Sequence, residues 1–197
     1  MNRFVSTLTA VALVLGLSVP AQAAKIGTTT NGEGNIVLTL EGVIKEGDAK
    51  ALQKLIDDAK WNSKTVVALR LNSPGGVILE GVHIADVVND NNLATVVMNH
   101  TYCASACFLA FAAGHEKFAS ATAGLGVHGA SEENGKESEG SRAVTIIMAK
   151  LLKMMHVPPA IIGKMVITEP TEMVWLKLED LKEWNVKVTG LPKNYKR

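Results

Sequence analysis

The sequence predicts an α/β fold with a largely parallel sheet, and two observations support this. Segments rich in apolar and β-branched residues alternate with segments whose apolar residues recur every three or four positions. One strand-like segment, "TVVALRL" (residues 65–71), is almost continuously apolar, which is typical of a strand buried on both faces of a parallel sheet. Because alternating strands and helices join by right-handed crossovers, we expect a sheet covered by helices.

The individual elements follow from composition and periodicity. The expected strands are β-rich runs at residues 35–44, 65–71 and 94–99, with short strands within 117–130. The expected helices carry an apolar face or helical composition, at residues 49–60, 77–88, 104–114, 142–155 and 176–184. The pair Pro158-Pro159 ends the long helix and can begin another. The polar, glycine-containing segment 131–141 is expected to be a mobile surface loop.

Residues 1–23 predict a cleaved secretory signal peptide. A short positive start is followed by an apolar run and by small residues ending at Ala23, the spacing a signal peptidase needs. A retained anchor is the alternative, although the run is shorter than the ~20 residues that span a bilayer. No later stretch is long and apolar enough to span. We therefore expect export, most simply to a bacterial periplasm, with residues 24–197 forming a single domain.

Charge and histidine spacing argue against several classes of partner. The chain carries 20 basic and 19 acidic residues, and one basic residue lies in the predicted signal peptide. Such a balance gives no reason to expect a nucleic acid or an anionic membrane as partner. The histidines other than His128 are scattered without the paired spacing of metal ligands, so no metal site is predicted.

Two breaks between strands and helices are candidates for chemistry, "NSPGG" (residues 72–76) and "CASAC" (residues 103–107). A serine needs a base for its proton and donors for the oxyanion. If Ser105 opens a helix, the Ala106 amide is a free first-turn donor. Gly75 offers backbone that can approach a ligand closely. The alternative is that Ser105 is an ordinary N-cap serine.

Three segments, "LRLNSPGGVILEGVHIADVV", "CASACFLAFAAG" and "GLGVHGA", resemble the proteolytic subunit of the Clp protease and its relatives. The resemblance runs over about residues 35–191 and is most specific over 69–81 and 103–130. It implies a ClpP/crotonase-like spiral of ββα units. It also implies a serine nucleophile, a histidine base, and an oxyanion hole to which the "NSPGG" segment contributes.

Carried onto this chain, the resemblance implies Ser105 as nucleophile and His128, 23 positions later, as general base. The amides of Gly75 and Ala106 would be the oxyanion donors. The segment 131–155 is similar to the region through which family members interlock, which implies self-association.

The family's third catalytic residue, an aspartate, has no counterpart here. Its expected position falls near Met173. Glu172 is adjacent and is the first choice for orienting the histidine, with Glu169 second. A backbone carbonyl or water is the third option.

Cys103 and Cys107 are the only cysteines, and an exported location favours a disulfide between them. A four-residue spacing closes only if Cys103 lies outside the helix and the distances suit, so the pairing stays open at this point.

These observations favour a periplasmic serine hydrolase, a peptidase that forms an acyl-enzyme on a peptide or protein substrate without a cofactor. A binding or scaffold protein that kept the fold and lost the chemistry is the second hypothesis, because the aspartate is missing. A crotonase-type enzyme ranks last, since coenzyme A is not expected outside the cytoplasm. An exported chain has no ATP supply, so no ATP-driven unfoldase is expected as partner.

Overall fold

The structure is a computed structural model that describes residues 24–132 and 135–190. The predicted signal peptide and the last residues of the expected domain, 191–197, lie outside the described residues. In chain order the elements are β1 (Lys25–Thr30), β2 (Ile36–Glu41), α1 (Asp48–Trp61), β3 (Val66–Asn72), α2 (Ile78–Asp90), β4 (Ala94–Val97), β5 (Tyr102–Ala104), α3 (Ala106–Ala112), β6 (Lys117–Ser120), β7 (Gly124–Val127), α4 (Glu139–Met154), α5 (Pro159–Ile167), β8 (Val174–Trp175), α6 (Leu178–Glu183) and β9 (Lys187–Thr189).

The larger sheet has the strand order β1-β2-β3-β4-β6-β9. Each neighbouring pair among β2, β3, β4, β6 and β9 is parallel. Strand β1 joins as an antiparallel hairpin partner of β2. The parallel strands are connected through helices, as the alternation of strand and helix patterns predicts. The largely parallel α/β fold expected from the sequence is therefore present, with an antiparallel strand at one edge.

A smaller sheet, ordered β5-β7-β8, carries the segments singled out as candidates for chemistry. Strands β5 and β7 are parallel, so Ser105 after β5 and His128 after β7 emerge at the same edge. An isolated bridge between Ser73 and Cys103 connects this sheet to the end of β3. The "NSPGG" segment is thereby placed beside the turn that carries Ser105.

The structure differs from the sequence expectations in three places. The expected strand 94–99 ends at Val97, and after a turn with His100 at φ 57° the chain forms β5. Ser105 therefore follows β5 in the smaller sheet and does not follow β4 directly. Strands β1, β8 and β9 were not expected. Helix α4 begins at Glu139, before the end of the expected loop, because Ser138 and Ser141 form a reciprocal capping box.

Helix α3 lies at the centre of the core, and all seven of its residues are buried. Phe108 and Phe111 pack against Trp184, with ring centroids 5.4 and 5.7 Å apart. Burying each phenylalanine stabilises the fold by about 1.5–3 kcal/mol relative to exposure. Gly81 of α2 lets the two helices approach closely, because a Cβ there would lie 2.6 Å from the Ala106 carbonyl oxygen. The first turn of α3 is thus held from several sides.

Candidate active site

Ser105 occupies the turn between β5 and α3 in a conformation that few residues other than glycine adopt, with φ 56° and ψ −126°. Its N–H donates to the Gly126 carbonyl at 3.1 Å, and its carbonyl accepts from the Phe108 N–H at 2.8 Å. Such strain costs about 1–3 kcal/mol and persists only where the surroundings impose it. Ser105 stands at the N-cap of α3, yet its side chain makes no capping hydrogen bond. The ordinary N-cap role weighed above is not the one this serine has.

Gly75 brings the "NSPGG" segment against this turn. A Cβ on Gly75 would lie 2.7 Å from the Ser105 Cβ and 2.9 Å from the Ala106 nitrogen, and Gly75 has φ 99°. Both the space and the backbone conformation therefore require glycine at this position. The neighbouring backbone of Ile44 fixes the segment from the other side, donating its N–H to the Gly75 carbonyl at 2.8 Å.

The two amides expected to hold an oxyanion differ in their present partners. The Ala106 N–H makes no hydrogen bond within the described protein, as befits the first residue of a helix. The Gly75 N–H donates to the Ser73 hydroxyl at 3.0 Å, so it would have to exchange that partner for a substrate oxygen. The Gly76 N–H has no hydrogen-bond partner among the described residues, and Gly76 lines the same cavity as Ser105. It is a further candidate donor.

His128 follows β7, is half-buried and lines the same cavity as Ser105. No hydrogen bond joins the two side chains, and the buried Nδ1 of His128 has no partner among the described residues. Burial lowers the pKa of His128 from its usual value of 6.5, and the backbone carbonyl of Pro170 opposes the shift. A lowered pKa favours the neutral imidazole, which is the form a general base requires.

The carboxylates proposed for the third position do not reach His128. Glu169 and Glu172 are exposed, and neither forms an ion pair with the histidine. They lie at the two ends of a turn in which the Glu172 N–H donates to the Glu169 carbonyl at 3.0 Å, and both residues are on the surface. The backbone carbonyl of Pro170, which is of the kind named as the third option, acts on the ring by raising the pKa of His128 against the effect of burial.

A thioether lies close to the position where the family's aspartate was expected. Strands β7 and β8 pair Val127 with Val174, so continuing this register places Met173 opposite His128. The Met173 sulfur packs over Gly126, 2.7 Å from the position of an added Cβ. Met173 is half-buried, and it is an apolar residue near the sequence position where the family's aspartate was expected.

A disulfide joins Cys103 in β5 to Cys107 in α3, with their Cα atoms 5.2 Å apart. The condition set from the sequence is met, since Cys103 lies in a strand outside the helix. The bridge therefore encloses Ser105 within a short loop.

The cavity beside Ser105 and His128 has a volume of about 930 Å³ and is mainly apolar. Besides Ser105 and His128, its walls come from four parts of the chain: the segment after β2, the start of α2, residues 130–132 and one face of α4. These contribute residues 43–45, 76–79, 82 and 130–132, together with Gly140, Ser141, Val144, Ile147, Met148 and Leu151. A cavity of this size can hold several residues of an extended peptide.

In residues 24–132 and 135–190, no three histidine, cysteine or acidic side chains cluster closely enough to hold a metal ion. No helix in the same part of the chain has the length and hydropathy needed to cross a membrane.

Sequence reasoning missed Ser73, which is fully buried and holds the Gly75 amide. Its position within "NSPGG" was visible, but its partner depends on the local turn. It also missed Pro170, because every residue has a backbone carbonyl and the sequence does not show which one lies near the histidine.

The sequence model of the Clp protease family matches residues 23–166. The chain belongs to the Clp protease family. Membership of this family supports a peptidase-type function. A search of curated protein sequences finds no match to this Clp protease family member.

Solved structures show the same fold. ClpP1 from Listeria monocytogenes is 17% identical, with coverage of 81% of this chain and 94% of that one and a TM-score of 0.60. The ClpP protease catalytic domain from Plasmodium falciparum is 18% identical, with coverage of 81% and 88% and a TM-score of 0.60. A membrane-bound stomatin-specific protease is 15% identical, with 79% of each chain covered and a TM-score of 0.60. At these identities the likeness shows the ClpP-like fold of this Clp protease family member.

Proposed function

We propose that this protein is a periplasmic serine peptidase that cleaves peptide bonds through an acyl-enzyme formed on Ser105. The observation that carries the proposal is the conformation of Ser105. The residue is held at φ 56° at a strand-to-helix turn, without a capping bond, on the cavity that His128 also lines. A strained turn of this kind presents a nucleophile to a ligand.

The chemistry proceeds in two halves. In the first, the Ser105 Oγ attacks the peptide carbonyl carbon while His128 takes the hydroxyl proton. The oxyanion is held by the Ala106 amide together with an amide of Gly75 or Gly76. The C–N bond then breaks, and His128 returns the proton to the departing amine. In the second half, water attacks the ester by the same route and releases Ser105.

The histidine must present a free nitrogen to the serine and keep its other nitrogen protonated. The Pro170 carbonyl supports this role, because it can accept a hydrogen bond from the protonated ring nitrogen. A carbonyl stabilises the imidazolium less than a carboxylate does, so a slow enzyme is expected. The apolar cavity favours peptide segments with apolar side chains.

Export and self-association are parts of the same proposal. The Cys103–Cys107 disulfide supports an oxidising compartment, as does the signal-like composition of residues 1–23. Ile146 and Met154 on α4 are exposed apolar side chains, which supports contact between copies through this helix. An exported chain would act without an ATP-driven unfoldase.

The second candidate is a peptide-binding or scaffold protein without turnover. Its support is specific: no hydrogen bond joins Ser105 to His128, and no carboxylate in residues 24–132 and 135–190 forms an ion pair with the histidine. The cavity would then bind a peptide that is not cleaved.

A fluorophosphonate probe distinguishes the two, because it phosphonylates an activated serine with loss of fluoride. The purified protein should be labelled at Ser105, and Ser105→Ala should abolish labelling without changing the circular dichroism. Ser131→Ala is the matched control, because Ser131 lines the same cavity but has no part in the proposed mechanism. Its loss should leave labelling intact. An inert wild-type protein, or persistent labelling of Ser105→Ala, would remove the peptidase proposal.

A further inference from the structure

The Cys103–Cys107 disulfide surrounds the proposed nucleophile at short range. It joins β5 to the first turn of α3, and Ser105 stands midway between the two sulfurs in sequence. Both cysteines are 0% exposed. Because the stabilisation from a disulfide grows with the length of the loop it closes, a four-residue separation constrains little of the unfolded chain. The effect of this bridge on the folded protein is therefore mainly local.

Helix α3 lacks the usual means of fixing its first turn. Its N-cap residue makes no side-chain hydrogen bond, and its first turn contains no acidic residue. Cys107, the second residue of α3, is instead tied to Cys103. That cysteine is held in turn by parallel pairing with Leu125 and by the bridge to Ser73. The disulfide takes the place of a cap, and so the Ser105 hydroxyl stays free.

We propose that this disulfide is a positioning element for Ser105, and that the reactivity of the serine depends on the oxidation state of Cys103 and Cys107. The inference rests on the proposed role of Ser105 as nucleophile. The bridge holds φ at 56° and keeps the Ala106 amide beside Gly75. Once it is cut, the residue can relax toward negative φ, which turns its Cβ away from its present direction.

The redox step involves a dithiol as reductant. Because both cysteines are buried, the β5–α3 turn first opens locally; one thiolate then attacks a cysteine sulfur, the Sγ–Sγ bond breaks and a mixed disulfide forms. The second thiol of the reductant then displaces the remaining cysteine. Two electrons and two protons pass to the protein, which gains two thiols, and the reductant leaves as a cyclic disulfide. Reoxidation reverses the change.

The test measures fluorophosphonate labelling of the full protein in oxidised, dithiol-reduced and reoxidised forms, with the redox state verified by intact mass. Reduction should lower the maximal labelling rate at least about tenfold, as expected when a strained, reactive conformation is released. The probe concentration at half-maximal rate should change less than about twofold, because the cavity remains. Reoxidation should restore the rate. Equal rates in the oxidised and reduced forms would overturn the proposal.

Variants separate the bond from the packing of its sulfur atoms. Cys103→Ala, Cys107→Ala and the double variant should lose the same amount of labelling rate, because either single change removes the shared bond. If the double variant loses as much labelling rate as the two single variants together, the sulfur atoms act by packing alone, which contradicts the proposal.

Hydrogen exchange provides a readout that does not need activity. If the oxidised wild-type protein does not react with the probe, that result contradicts the proposed function but not the positioning role of the disulfide. The amides of residues 104–108 should still exchange faster after reduction, while those of β3 keep their protection. Unchanged exchange at residues 104–108 would overturn the positioning role whatever the activity.

Discussion

The two halves of the candidate site are built in different ways. On the nucleophile side, Ser105 is fixed by backbone hydrogen bonds, by a disulfide and by close contact with Gly75. On the base side, His128 forms no ion pair with any acidic residue in the described part of the chain, and the backbone carbonyl of Pro170 acts on its pKa. Several contacts, including the disulfide, fix the first half, whereas the second half lacks a side-chain partner for the base among the described residues.

The difference shows which parts of a site depend on backbone and which on a single side chain. The nucleophile side needs glycine, a strained turn and a helix start, and these are set by the core around α3. The base side needs one carboxylate beside the histidine, whereas the residue reached by continuing the β7–β8 register is Met173. A fold can therefore keep its oxyanion geometry while its proton transfer weakens.

Replacing the base tests the weaker half most directly. His128→Gln should lower the fluorophosphonate labelling rate by about 10²–10⁴-fold, the range that general base catalysis contributes. His115→Gln is the control, because that histidine is exposed and away from the cavity. A His128→Gln protein that labels at the wild-type rate would mean that the serine reacts without this base.

Gly75→Ala tests the stronger half. An added Cβ would strike the Ser105 Cβ and the Ala106 nitrogen, so labelling should fall by about 10²–10³-fold, as when an oxyanion donor is lost. Gly47→Ala is a closely matched control, because Gly47 has φ 97° against 99° for Gly75 and nothing within 4 Å of an added Cβ. It should cost about 1–2 kcal/mol of stability and leave labelling unchanged. Equal labelling by the two variants would contradict the close approach.

Met173→Asp should strengthen the base side. In the wild type, burial lowers the pKa of His128 from 6.5, so the neutral base persists, and labelling is lost only as the pH falls through a value below 6.5. An aspartate opposite the ring favours the imidazolium and should move this acid limb upward by about one pH unit. Met173→Asn, similar in shape but uncharged, should leave the limb in place. Coincident pH profiles for the two variants would show that residue 173 does not face the base.

Glu172→Gln and Glu169→Gln should have the smallest effect, less than about twofold on labelling. Both carboxylates are exposed and make no ion pair with His128, so solvent screens their charge. A loss approaching the roughly 10⁴-fold effect of removing the acid of a working triad would instead restore Glu172 or Glu169 as the orienting residue.

The sequence was informative where physical constraints are local. The apolar run of β3 and the amphipathic face of α4 both indicate their elements directly. Three-residue β5 and two-residue β8 are too short to show a periodic pattern, so the placement of Ser105 in a second sheet was not foreseen. The surroundings of His128 depend on the register between β7 and β8, and on the contact of Gly129 with Thr168. Neither can be read from residues so far apart along the chain.

The aromatic cluster on α3 gives the protein an optical signal of its own. Trp184 is 7% exposed and packs on Phe108 and Phe111, whereas Trp61 is 89% exposed and Trp175 is 48% exposed. These are the three tryptophans of the chain. A buried indole emits at shorter wavelength than a solvated one, and collisional quenchers in the solvent reach it last. The unquenched fraction of the fluorescence therefore reports on the helix that follows Ser105, without a label and without a substrate.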